Sequence, residues 1–266
     1  MRLAESKNSQ NGQILLVVVL AAVISLTVGL AVISRTITNT RVSTEEANSQ
    51  KALSAAEAGI EDLVNSTNIT GGTGTKTLSN QSEFNATATS VQGGRILINN
   101  GETIEQDEGA DVWLSTNPNF TSPINTNLTV YWTVPSGACS TYPAIEIAVV
   151  SGNRTTPNMT RYVVDSCDSR RAQNSFGAPN RGATTISGQS FNFGFALPAI
   201  SSGYIVRIIP LYADSTIGAV STTPLPPQGY IINSTGKSGN TTRKVTVFRG
   251  FPRLPIEFFP YNLFLP

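Results

Sequence analysis

The sequence predicts an α+β protein: a long N-terminal transmembrane/amphipathic helix followed by an antiparallel all-β, sandwich-like domain. Three observations predict it. The stretch from Gln13 to Ser34 carries no charge and is almost entirely apolar. No proline precedes Pro118 and no glycine falls between Gly29 and Gly59, so nothing breaks a helix there. From about residue 77 onward, short runs rich in Val, Ile, Phe, Tyr and Thr alternate with Gly, Pro, Asn and Ser.

The helix is read first. Ile14 to Ile33 is interrupted only by Ser25, Thr27 and Gly29. Some twenty apolar residues make roughly 30 Å of helix, the thickness of a bilayer core. A signal peptide has a shorter apolar core and a small-residue cleavage site, and the following RTITNTRV has no such site. Residues 13–34 are therefore predicted to span a membrane, with polar residues 1–12 as a leader. The helix is predicted to continue to about Val64. Val42, Ala47, Leu53, Ala56, Ile60 and Leu63 recur near helical spacing, with Glu45, Glu46, Lys51, Glu57, Glu61 and Asp62 between them. Such a helix would be about 75 Å long, apolar all round in its first half and amphipathic in its second.

Residues 65–77 read as a linker and 78–266 as a β-rich extracytoplasmic domain. Eight strand candidates stand out in it, and no helix. LTVYWTV places Leu128, Val130, Trp132 and Val134 on one face, and FNFGFAL does the same for Phe191, Phe193, Phe195 and Leu197. Short strands at this spacing suggest a sandwich, of which the Ig-like kind is one form, or a twisted antiparallel sheet. The C-terminal run RKVTVFRGFPRLPIEFFPYNLFLP is apolar, and four prolines exclude a long helix. It is expected to pack on the domain or the helix, with docking of a partner subunit as the alternative.

Composition narrows function. The chain has 266 residues, a net charge of +1 and 13% charged residues. It offers no strong field for nucleic acid. Its surface must be built largely from Ser, Thr, Asn, Gln and Gly. There is no histidine, which excludes Ser-His-Asp and Cys-His catalysis and removes the commonest transition-metal ligand. Cys139 and Cys167 fit a single disulfide in an oxidising compartment, with two buried thiols as the alternative. Orientation is not set by charge: Arg2 and Lys7 precede the span, and Arg35 and Arg41 follow it.

Several motifs carry little chemistry. Ser234–Asn240 (STGKSGN) lacks the earlier glycine of a P-loop, since Ile231 stands there, and reads as a hairpin loop. Glu102, Glu105, Asp107, Glu108 and Asp111 read as a solvated acidic loop; Ca²⁺ ligation is the alternative, without EF-hand spacing. Asp165, Asp168, Arg170 and Arg171 around Cys167 read as local ion pairs. N-x-S/T triplets begin at Asn65, Asn68, Asn80, Asn85, Asn119, Asn127, Asn153, Asn158, Asn233 and Asn240. No catalytic residue, metal site or cofactor is expected.

Gly12 before the apolar helix, Ser34-Arg35 at its exit, and the Ala55-Ala56-Glu57-Ala58-Gly59-Ile60-Glu61 string resemble the N-terminal region of PilX-like type IV minor pilins and pseudopilins. The resemblance covers residues 10–64, about a fifth of the chain. It implies cleavage by a prepilin peptidase between Gly12 and Gln13, and N-methylation of Gln13. It also implies a helix that first sits in the inner membrane and then packs against other pilins in a surface filament, with a part in assembly or adhesion. Main pilin subunits begin with Phe and carry Glu at the fifth mature position, where this chain has Gln13 and Val17. That departure favours a minor pilin. A membrane-anchored adhesin or carbohydrate-binding module without a filament is the alternative. An anchored enzyme would need a carboxylate or lysine site in the β domain.

Overall fold

A computed structural model describes residues 11–253 apart from 67, 68, 70, 117 and 118. Most of the expected leader and the apolar C-terminal run beyond Arg253 lie outside the described residues. Helix α1 (Asn11–Val64) runs unbroken. Fifteen strands follow: β1 (Gly71–Thr77), β2 (Glu83–Ser90), β3 (Gly93–Leu97), β4 (Ala110–Trp113), β5 (Ile124–Thr126), β6 (Leu128–Trp132), β7 (Ala144–Gly152), β8 (Pro157–Asp165), β9 (Thr184–Ile186), β10 (Gln189–Phe191), β11 (Phe193–Ala196), β12 (Ile200–Leu211), β13 (Ile217–Leu225), β14 (Gly229–Ser238) and β15 (Thr241–Gly250). The fold is α+β, as expected, and every pairing between these strands is antiparallel.

Two sheets form the sandwich. One has the order β11-β6-β13-β3; the other has the order β4-β12-β7-β8, with β5 also on β12. Their facing side chains make one core, with Val130, Trp132 and Ala219 from the first sheet and Ile145, Ile147, Val206 and Ile208 from the second. The alternation read in LTVYWTV holds: Leu128, Val130 and Trp132 are buried and Tyr131 is half-buried. Trp132 is fully buried, and its indole N–H donates to the Ser166 hydroxyl at 2.8 Å, so the ring contributes apolar area without an orphaned donor. FNFGFAL is less regular. Phe191 ends β10, which pairs only with β9, while Phe193 and Phe195 lie on β11 and are half-buried against the sandwich core.

A further sheet, ordered β1-β2-β14-β15, carries α1 on one face. It hangs from the sandwich by short connections that are clamped. The Gln228 side chain accepts from the Trp113 N–H and donates to the Trp113 carbonyl, both at 2.8 Å, which pins the start of β14 to the end of β4.

The structure corrects the sequence reading in four places. Residues 71–77, expected to be linker, form β1 and pair with β2. Ser234–Ser238 is not loop but the end of β14, and the turn is confined to Gly239 and Asn240. Asp111 is not on a solvated acidic loop; it sits on β4, buried against Arg207 of β12. A short helix, α2 (Asp168–Asn174), follows β8 where none was expected. At seven residues it is too short for hydrophobic periodicity to announce it.

α2 is held from below by Asp165. This carboxylate is fully buried and accepts from the Cys167 N–H, from Nε and a terminal nitrogen of Arg170, and from the Asn174 amide, at 2.7–2.9 Å. Arg170 also donates to the Ser140 and Tyr142 carbonyls and lies over the Tyr212 ring. Cys139 and Cys167 are joined in a disulfide across this junction. Reduction should cost about 3–4 kcal/mol for a loop of this length. A lower unfolding temperature in reductant is the expected result, and an unchanged one would contradict it.

The Asp165 network also sets an acid limit. Burial pushes the carboxyl up, but the Arg170, Cys167 and Asn174 hydrogen bonds and the Arg170 charge together outweigh it, and the group titrates below the usual aspartate range. A depressed native pKa stabilises the fold above the unfolded value of about 4, and this is lost as pH falls through the native pKa. Urea midpoints should therefore fall on acidification below about pH 4. Asp165→Asn should be less stable at neutral pH and show a shallower acid dependence.

Candidate functional site: the exposed half of the helix

The candidate site is α1 itself, and the sheet beneath it determines which part is free. The buried helix residues are Ala52, Ala55, Ala56, Gly59 and Leu63, at the three- and four-residue spacing of one helix face. They meet Phe84 and Ala86 of β2 and Ile232, Ser234 and Gly236 of β14. The approach is unusually close. A Cβ on Gly236 would fall on the Ala52 carbonyl oxygen and 2.5 Å from the Ala56 nitrogen. A Cβ on Gly59 would collide with the Ser234 hydroxyl and lie 2.8 Å from the Phe84 ring. Glycine on each side thus lets helix and strand backbones nearly touch.

The edges of this contact are polar. Arg243 donates to the Ser49 hydroxyl, Arg249 donates to the Val64 carbonyl at 2.9 Å, and Lys76 pairs with Asp62 at 2.7 Å. The Ala55–Glu61 string therefore has a structural role here: its small residues face the sheet while Glu57 and Glu61 face solvent. The stripe expected from sequence holds in part: Ala56 and Leu63 are buried and Ile60 packs beside them. Val42, Ala47 and Leu53 are exposed, whereas Ala52 and Ala55 are buried, Ala52 because its backbone meets Gly236.

N-terminal to Asn48 the helix leaves the sheet. Every residue from Ile14 to Ala47 is exposed, including Val17, and Ile14–Ile37 shows large apolar side chains on all faces. The backbone of Gly12 and Gln13 lies within α1. α1 is the one helix among the described residues long and apolar enough to cross a bilayer, which fits a single-pass anchor. Its threonine hydroxyls bond the helix's own backbone. Thr27 donates to the Ile24 carbonyl, and Thr36, Thr38, Thr40 and Thr44 each donate to the carbonyl four residues back, at 2.8–2.9 Å.

Between Ser34 and Asn48 a polar stem of about 20 Å separates the apolar segment from the sheet. A headgroup layer is only about 5–7 Å deep. With the helix upright, the β domain would stand clear of the lipid. Among the described residues, Arg35, Arg41, Glu45 and Glu46 on this stem form no ion pair. A groove of about 680 Å³ opens between the stem and the β14–β15 turn, lined by Ile37, Thr40, Arg41 and Thr44 and by Asn240 and Thr241.

The other sequence candidates are not brought to this site. Cys139 and Cys167 lie in the disulfide beside α2. Among the described residues no cluster of three or more His, Cys, Asp or Glu side chains is placed to hold a metal ion. Gly236 and Ser234 were missed as interface residues. A glycine within a strand-like pattern is the signal that marks such a close approach.

No protein-family model, curated protein or solved structure matches the chain.

Proposed function

We propose that the chain is a PilX-like minor pilin, a structural component of a type IV pilus or related filament. A prepilin peptidase removes residues 1–12, Gln13 becomes the N-methylated first residue, and residues 13–34 hold the protein in the inner membrane before assembly. The helix then leaves the lipid and packs against other pilins at the cell surface. The observation that supports this reading best is the division of one continuous helix. Its apolar half is uncovered, while its Ala55–Glu61 half is fused to a sheet by near-backbone contact. A rigid junction of this kind passes the position of the helix directly to the β domain. A plain anchor needs only a flexible tether. Its function on this reading is packing rather than catalysis, with the β domain contributing assembly or adhesion contacts.

The test is the mature N-terminus. Mass spectrometry of protein from source cells should find the chain starting at a methylated Gln13, and deleting the peptidase should restore residues 1–12. A chain that keeps its leader in cells with the peptidase would instead be a membrane-anchored adhesin.

A further inference from the structure

The ten N-x-S/T triplets are about twice the number that this content of Asn, Ser and Thr gives by chance, and all begin between Asn65 and Asn240. The structure divides the asparagines of the β domain into two groups. Among the described residues, those outside the triplets brace loops or shape turns. Asn125 accepts from the Ser202 N–H, Asn192 accepts from the Val134 N–H, and Asn180 bonds both the N–H and the carbonyl of Ala196. Asn174 ties Asp165 to Phe176, and Asn99 and Asn100 adopt left-handed turn conformations.

Among the described residues the side chains of the triplet asparagines bond no backbone outside their own triplet, and that of Asn233 accepts only from the Thr246 hydroxyl. Among the described residues, eight of the nine are exposed, and Asn233 is half-buried on the sheet face away from α1. None faces the helix–sheet contact. In two of them the third residue closes back on the first. The Asn153 side-chain oxygen accepts from both the N–H and the hydroxyl of Thr155, at 2.9 Å. The Asn80 oxygen accepts from the N–H of Ser82 at 3.0 Å and from its hydroxyl. These bonds occupy the carbonyl oxygen, and among the described residues Nδ2 has no protein partner. That presents the nitrogen of an exposed carboxamide while the hydroxyl polarises its carbonyl.

We propose that the β domain carries asparagine-linked glycans, with Asn153 and Asn80 as the leading acceptors. The co-reactant is an oligosaccharide activated on a polyprenyl phosphate or diphosphate. The Nδ2–C1 bond forms as the C1–O bond to phosphate breaks. The phosphate leaves with its lipid, and one amide proton passes to a base of the transferase. Sugar hydroxyls would supply the solvation that so sparsely charged a surface lacks. The proposal rests on the extracytoplasmic placement of the domain but not on a filament.

The experiment pairs two measurements on the full chain from source cells: protease shaving of spheroplasts, whose inner membrane is intact and accessible, and peptide mass mapping of the protein from membranes. The expected result is a domain cleaved from outside, with saccharide mass on the Asn153 and Asn80 peptides. Thr155→Ala should abolish the addition at Asn153 and Thr155→Ser should retain it. A domain cleaved from outside but bare at every triplet would overturn the glycan proposal and leave the orientation standing. A protected, bare domain would overturn both. Saccharide on Asn174 or Asn180 in place of the triplets would also contradict it.

Discussion

Gly236→Leu is expected to separate α1 from its sheet and to destabilise the protein by at least about 3 kcal/mol, the upper end of ordinary overpacking. The new side chain would meet the Ala52 carbonyl and the Ala56 amide nitrogen, which are backbone atoms of a helix and have no rotamer to change. Helix or strand must move, and Leu63, Ala86 and Ile232 then lose their burial. For a domain of this size the unfolding temperature should fall by about 6–12 °C in detergent-solubilised protein. Gly182→Ala is the control, because nothing lies within 4 Å of its added Cβ. A shift of equal size in both variants would mean that the close approach is not what holds the helix.

Arg207→Ala should cost about 3–5 kcal/mol, the usual result of breaking a buried pair from one side. Arg207 and Asp111 are cross-strand partners on β12 and β4, and their side chains are 2% and 3% exposed. The guanidinium grips both carboxylate oxygens, at 2.8 and 2.9 Å. Removing it leaves a buried carboxylate, on the sheet face opposite the sandwich core, without its bidentate partner. The double replacement Asp111→Leu with Arg207→Met should recover most of the loss, since two apolar groups of similar volume need no desolvated charge. Equilibrium urea unfolding measures both. A single-variant loss below about 1 kcal/mol would place the pair in the class of exposed ion pairs.

These two variants mark where sequence legibility ended. The apolar half of α1 was readable because twenty uncharged residues have few other physical explanations. The strands around Trp132 were readable because alternation survives in one chain. The buried face of the amphipathic half was readable only in part. Ala56, Ile60 and Leu63 pack on the sheet as their spacing suggests, but the burial of Ala52 in place of Leu53 depends on Gly236, some 180 residues away. Asp111 looked solvated among its acidic neighbours because Arg207 is distant in sequence and meets it only through strand register. Sequence leaves Cys139 and Cys167 open between a disulfide and two free thiols, because only the fold brings them together. Gly12 and Gln13 are located on the helix backbone, and the cleavage proposed between them would be the work of another protein.

The central claim is that α1 leaves the membrane to become part of a filament. Shearing intact cells and separating released filaments from membranes tests it most directly. The account predicts mature protein in the sheared filament fraction, and retention in the membrane when the prepilin peptidase is deleted. Protein confined to the membrane fraction of cells that do release filaments would contradict it.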